Sequence, residues 1–235
     1  MEDRTPSPLV RYNGQRAFFC ADGETRMATP PFLSLDGVDG AGKSTQLQLL
    51  AEWLRARGWT VVRCADPGGT PLGDQLREIL LRHQQERGMM AEALLFMASR
   101  AELLEKVIRP ALAGGSLVLC DRFLLANVVY QGYAGGLNVE LLWQVGRLAA
   151  GGLEPELTLV LDLPVDAAQE RRGREPDRME SRQREFHERV RQGFLTEAKR
   201  QPERVRIINA SGAVDAVHAA ICAEVERVLA AHPRP

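Results

Sequence analysis

The chain has 235 residues, 45% of them hydrophobic and 26% charged, with a formal net charge of −1. That length suits one α/β domain with a sizeable core, and no linker divides it. The near-neutral charge excludes a nucleic-acid polymer as partner and a membrane-surface protein, and no apolar run approaches the ~20 residues of a membrane-spanning helix.

Residues 1 to 30 are polar, rich in Pro, Arg, Asp and Thr, and show no sustained period. They read as a flexible N-terminal extension preceding a single domain over 31–235. Met27 at its end is a second candidate start of translation. The first strand is Phe32-Leu33-Ser34-Leu35-Asp36. A glycine loop follows, then a helix over about 44–57, apolar at Leu47, Leu50, Ala51 and Leu54 and ended by Gly58. A second strand runs over about 60–65. Pro67-Gly68-Gly69-Thr70 is a turn, and helical segments continue to about Ala113 with a break near Gly88. Leu117–Cys120 is a short apolar strand ending at Asp121-Arg122. Leu157–Asp162 and Val205–Asn209 are the remaining strands, and an amphipathic helix over about 214–230 closes the chain. Continuous apolar strands alternating with helices predict a parallel sheet covered on both faces. The most charged stretch, about 171–206, reads mainly as a solvated helix face.

The four cysteines, Cys20, Cys64, Cys120 and Cys222, form no CxxC pair or metal knuckle. Cys64 and Cys120 sit in apolar runs, where cysteine behaves as a small buried hydrophobe. This usage points to a reducing, cytoplasmic compartment. Lysine occurs only at Lys43, Lys106 and Lys199, against 27 arginines. A coding bias explains the imbalance, and it sets the lysine inside the glycine loop apart.

That loop reads Gly37-Val38-Asp39-Gly40-Ala41-Gly42-Lys43-Ser44, then Thr45. Gly-x-x-x-x-Gly-Lys-Ser between a strand and a helix is the signature of a loop that cradles the phosphates of a nucleotide triphosphate. Its glycines let backbone N–H groups turn inward, and the helix N-terminus adds partial positive charge. Lys43, read here as an exposed loop lysine, is expected to reach the β- and γ-phosphates and Ser44 to ligate Mg²⁺. Asp121 ends an apolar strand, the usual place for a carboxylate of the Mg²⁺ shell. Arg122 beside it is placed to reach a second phosphate. From spacing alone, Phe96 reads as core and Arg100 as a surface charge.

Taken in order, these residues resemble the thymidylate kinases, within the nucleoside monophosphate kinases. The resemblance covers about residues 32 to 230. It rests on the glycine loop with its acidic Asp39, on Pro67-Gly68-Gly69-Thr70, and on Leu94-Leu95-Phe96-Met97-Ala98-Ser99-Arg100. Asp121-Arg122-Phe123, Tyr130-Gln131-Gly132 and Asp177-Arg178-Met179-Glu180 complete it. The resemblance implies a P-loop nucleoside-monophosphate-kinase-like three-layer α/β fold with a mobile lid over about 171–178. It implies transfer of the γ-phosphoryl of ATP to dTMP, Mg²⁺ as cofactor, and a homodimer. Phe96 would stack on thymine, Arg100 would hydrogen-bond the base, and Arg122 would hold the acceptor phosphate. Asp39 would lie near the 3′-hydroxyl, Asn127 would contact the base, and Tyr130 would line the acceptor segment.

The chain departs from the family pattern at several points. Ala65-Asp66 stands where Arg-Glu is frequent, Ala126 where serine is common, and Asn209-Ala210 where Asp-Ala is common. Gly40 stands where some members carry a loop arginine. In members without it, lid arginines neutralise the transferring charge, and Arg171, Arg172, Arg174 and Arg178 are the candidates. Other acceptors on the same fold, and a P-loop switch or ATPase, are the alternative readings. The motifs around Phe96 and Pro67 speak against the first. The lack of a recognisable water-positioning residue speaks against the second.

Overall fold

The structure, a computed structural model, describes residues 29–83, 85–171 and 177–232, together with the backbone of three short strands before them. Those strands, Val10–Tyr12 (β1), Gln15–Phe19 (β2) and Thr25–Met27 (β3), pair antiparallel into a sheet of their own. The sequence reading expects no regular element in this segment. Backbone pairing between such short neighbours requires no sustained apolar alternation, so composition does not announce it. The other residues before position 29 lie outside the described residues.

The main sheet is parallel throughout, with strand order β5-β6-β4-β7-β8. Its strands are Phe32–Gly37 (β4), Val61–Ala65 (β5), Leu117–Asp121 (β6), Leu157–Asp162 (β7) and Val205–Asn209 (β8). The central strands bury every residue or all but the last, as expected of strands covered on both faces. The first strand reaches Gly37, one residue beyond the expected end.

Helix Lys43–Arg55 (α1) buries Lys43, Gln46, Leu47, Leu50, Ala51 and Leu54, one stripe at three- and four-residue spacing. Gly58, at φ 88°, turns the chain out of it. Helix Pro71–Leu81 (α2) starts with proline at its first position, and the Thr70 hydroxyl accepts from the Gly73 N–H at 2.9 Å. Helix Met89–Leu103 (α3) follows the expected break and continues through a π-helical turn, Leu104–Ile108, into Arg109–Ala113 (α4). Helix Leu124–Asn127 (α5) also runs into a π-helical stretch, Val128–Ala134. Helix Val139–Ala149 (α6), capped by Asn138, is not among the elements expected from the sequence. Val165–Glu170 (α7), Arg184–Arg200 (α8) and Val214–Leu229 (α9) complete the chain.

The order of strands reverses at β4: the first crossover leads away to β5, and later ones lead to β7 and β8 on its other side. Ligands of such sheets bind beyond the carboxyl ends of the strands at this switch point. The register sets Leu35 of β4 and Ala65 of β5 on either side of Asp121 of β6. The glycine loop, Asp66 and Asp121 are therefore neighbours before any side-chain chemistry is considered.

Candidate active site

A cleft of about 490 Å³ opens at these strand ends. Its walls include Asp39, Lys43, Ser44, Thr45, Asp121 and Arg122 together with Phe96, Arg100, Asn127 and Tyr130. Residues expected to hold phosphate and residues expected to hold a base thus share one cavity.

The loop is built on glycines that a side chain would disrupt. Gly37, Gly40 and Gly42 have φ of 129°, 88° and 94°, the left-handed region where L side chains are strained. A Cβ on Gly40 would fall 2.0 Å from the Ala168 carbonyl oxygen of α7. The loop arginine of some family members has no room here, which gives a steric reason for its absence.

Lys43 is 8% exposed, contrary to the expectation of an exposed loop lysine. Its Nζ donates to the Gly37 and Val38 carbonyls at 3.2 and 2.9 Å and lies 3.7 Å from Asp39 Oδ1. The loop folds around its own lysine. Burial, with Arg122 nearby, pushes the Lys43 ammonium pKa down.

Arg122 is the non-glycine residue in the left-handed region among the described residues, at φ 65°. Its N–H donates to the Leu35 carbonyl at 2.9 Å, and its Nη1 donates to the Gly37 carbonyl at 2.9 Å. Its Nη2 donates to Asp39 Oδ1. A strained backbone held from three sides is typical of a functional position. Tyr130 Oη donates to the other Asp39 oxygen at 3.1 Å. Burial works to raise the Asp39 carboxyl, but Arg122 and Lys43 outweigh it and hold the group well below the usual carboxylate range.

Phe96 is half-buried and lines the cleft rather than filling the core. Arg100 is buried, not a surface charge as spacing alone suggests. Its Nε donates to Asp66 Oδ2 at 2.6 Å, and its Nη1 donates to Asn127 Oδ1 at 3.1 Å. The shorter side chain at position 66 therefore still reaches the arginine.

Three carboxyl groups at the strand ends have buried oxygens without a hydrogen-bond partner: both of Asp36, Oδ1 of Asp66 and Oδ1 of Asp121. Burial pushes the Asp36 carboxyl up to about 7, against the pull of Arg122 and Lys43. The free Asp121 oxygen, in the cleft that Ser44 also lines, suits a hard cation. Among the described residues no group of three or more His, Cys, Asp or Glu is arranged to hold a metal alone. Mg²⁺ commonly takes one or two protein ligands and completes its shell with phosphate and water, so the pair fits it.

The lid candidates separate. Arg172 and Arg174 lie outside the described residues. Arg171 lines the cleft and donates to the Ala210 and Ser211 carbonyls at 2.9 and 3.4 Å. Arg178 turns away from the phosphate loop: its Nε donates to the Leu80 carbonyl at 2.9 Å, and its Nη2 donates to Glu92 Oε2.

Sequence reasoning missed Arg77, which lines the cleft and donates to the Pro67 carbonyl at 2.7 Å. It also missed Asp36 and Glu92. Glu92 could have been found, because Glu92, Phe96 and Arg100 recur every four residues on one face of α3.

Comparison with known proteins agrees with this arrangement. The family profile described as thymidylate kinase matches residues 35–221. A thymidylate kinase of Rhodopirellula baltica is 49% identical over 191 residues, covering 81% of this chain and 78% of the relative. One of Symbiobacterium thermophilum is 48% identical over 201 residues, covering 84% of this chain and 94% of the relative. The solved thymidylate kinase of Ehrlichia chaffeensis superposes with a TM-score of 0.68 at 31% identity, over 84% of this chain and 99% of that one. With the phosphate loop, the switch-point cleft and these relatives in agreement, the chain belongs to the thymidylate kinase family.

Proposed function

We propose that the chain transfers the γ-phosphoryl of ATP to dTMP in this cleft, giving dTDP and ADP, with Mg²⁺ held by Ser44 and Asp121. The observation that carries this reading is the meeting of Lys43, Arg122 and Asp39 with Phe96, Arg100 and Asn127 in a single cavity. Backbone N–H groups of 37–45 cradle the donor phosphates, and Lys43 exchanges its two loop carbonyls for phosphate oxygens. Arg122 places the acceptor phosphate in line, Asp39 and Tyr130 hold Arg122, and Phe96 covers the base. The bond between the γ-phosphorus and its bridging oxygen breaks as one forms to an oxygen of the acceptor phosphate. That acceptor is already anionic, so no residue serves as general base. Catalysis rests on positioning and on preorganised positive charge. Mg²⁺, when bound, neutralises charge on the donor phosphates.

Base choice follows from the edge that Arg100 and Asn127 present. Thymine offers an acceptor at O4 and a donor at N3–H. Arg100 only donates, and Asn127 Oδ1 has a second lone pair to accept. Cytosine reverses that edge and leaves buried polar groups unpaired, a mismatch that such sites reject by on the order of 10⁴-fold. The thymine methyl is a weaker handle, about 1–3 kcal/mol. An assay of ADP release against nucleoside monophosphates tests this. Release is expected with dTMP, less with dUMP and very little with dCMP. Steady release without acceptor would identify an ATPase, and comparable kcat/KM for dCMP and dTMP would overturn the base reading.

The same proposal includes a homodimer. Leu72 and Ile79 on α2, Met90 and Leu94 on α3, and Leu141 and Leu148 on α6 are exposed apolar side chains on neighbouring helices. Leu94→Glu is expected to lower the molar mass measured by light scattering to that of one chain. A cytoplasmic setting belongs to the same reading. Cys64, Cys120 and Cys222 are free thiols, and among the described residues no helix is long and apolar enough to cross a membrane.

A further inference from the structure

From the base-reading pair a line of buried hydrogen bonds runs through Gln131, which also lines the cleft, to Glu92, which does not. Arg100 Nη1 donates to Asn127 Oδ1 at 3.1 Å, and Asn127 Nδ2 donates to Gln131 Oε1 at 2.7 Å. Gln131 Nε2 donates to Glu92 Oε1 at 2.9 Å. Asn127, Gln131 and Glu92 are 3%, 0% and 1% exposed, so water does not substitute for these partners. Glu92 is also held by Arg178 Nη2 and by Arg182 Nη2, the latter at 3.1 and 3.2 Å from its two oxygens.

Every donor in this line points the same way, and the chemistry of its ends explains why. A carboxylate clamped between two guanidinium groups only accepts, so Gln131 turns its Nε2 toward Glu92. Its Oε1 then faces Asn127, which turns Nδ2 toward it and leaves Oδ1 toward Arg100 and the base. An amide can rotate to exchange its oxygen and nitrogen, and an Asn127 so rotated would offer a donor to N3 of cytosine. In this fold that rotation sets Asn127 Nδ2 against the Arg100 N–H and Asn127 Oδ1 against Gln131 Oε1, and Gln131 cannot turn in response without losing its bond to Glu92.

We infer that Glu92, acting through Gln131, is a specificity-determining residue that, together with Arg100 at the other end, fixes the orientation of the Asn127 amide and so the preference for a thymine over a cytosine edge. This rests on the reading that Arg100 and Asn127 face the base. Glu92 touches no substrate and lines no part of the cleft; it is a positioning residue. Arg178 closes the lid segment and Arg182 follows it, so the end of the lid helps hold the residue that sets base choice.

The test compares kcat/KM for dTMP and dCMP in the full chain and three variants, with melting temperature confirming that each is folded. Glu92→Gln gives the line an end that both donates and accepts, so Gln131 can turn with Asn127 and only Arg100 still opposes the rotation. Gln131→Met breaks the line while leaving Glu92 with both arginines. Asn127→Ala removes the base contact itself. Damage to lid or fold lowers both substrates alike and leaves their ratio unchanged, which separates a structural role from this one. One of the two buried hydrogen-bond mismatches that oppose the rotation is relieved in each of the first two variants, that with Arg100 remaining, so the dTMP/dCMP ratio is expected to fall by roughly tenfold in both. A ratio within about twofold of wild type in Glu92→Gln and Gln131→Met, with the ratio lost in Asn127→Ala, overturns the inference and leaves the base reading standing. An unchanged ratio in Asn127→Ala overturns the base reading and the inference with it.

Discussion

Asp66 and Arg100 form an ion pair in which each side chain keeps 1% of its surface, with Nε 2.6 Å from Oδ2. The pair joins the end of β5 to α3 and orients the guanidinium that faces Asn127. Removing one member of such a pair strands the other charge in the interior, at a cost of about 3–5 kcal/mol. Asp66→Ala is therefore expected to lower stability by that amount in urea titrations. Asp66→Asn keeps an acceptor and should cost less. Equal stability of wild type and Asp66→Ala would show that water reaches Arg100.

Asp36 predicts a pH dependence. Its carboxyl ionises at 3.8 in the unfolded chain and at about 7 in the fold, where burial disfavours the charge. Between those values the native state keeps a proton that the unfolded chain has lost. Stability therefore falls as pH rises through this window, and the full cost, about 4 kcal/mol at most, is present above pH ~7. An asparagine at this position would not titrate. The melting-temperature advantage of Asp36→Asn over wild type is expected to be larger at pH 8 than at pH 5. A difference that stays flat with pH would refute this account.

Lys43→Ala is expected to lower kcat by at least ~10²-fold, the scale of one lost electrostatic contact to a transferring phosphoryl group. Because Lys43 is buried and bonded to two loop carbonyls, a fall of a few degrees in melting temperature should accompany it. Retention of a tenth of wild-type activity would remove Lys43 from the phosphate site.

Charge neutralisation must come from beyond the loop, since Gly40 leaves no space for an arginine. At least one of Arg171→Ala, Arg172→Ala, Arg174→Ala and Arg178→Ala should lower kcat by roughly 10²-fold. Arg178→Ala should also lower melting temperature, because Glu92 loses one of its two cations. Four variants all within about threefold of wild-type kcat would refute the assignment of this charge to the lid.

The first three strands pair with one another and not with the main sheet. Deletion of residues 1–26 is therefore expected to leave kcat/KM and melting temperature nearly unchanged. A loss of several degrees would show that the segment packs on the kinase domain.

Much of this could be read from local pattern. The phosphate loop, the five strands of the main sheet and the helices at both ends of the domain follow from apolar runs and glycine placement, which act through near neighbours in the chain. Helix α6 escaped that reading, and so did the pairing of β1–β3, where the segments are short and the apolar signal slight. The site residues divide along the same line. Lys43, Ser44 and Asp121 are legible because a phosphate loop and a strand end carry their chemistry in sequence order. Whether Arg100 is exposed or buried, and whether Arg178 faces the phosphates or Glu92, depends on partners 34 and 86 positions away. Such distant groups meet only when β5, β6, α3 and the end of the lid are packed together. Burial then gives each charge its meaning: with water excluded, Asp66 becomes the partner of Arg100, and Glu92 becomes the end that orients a chain of amides.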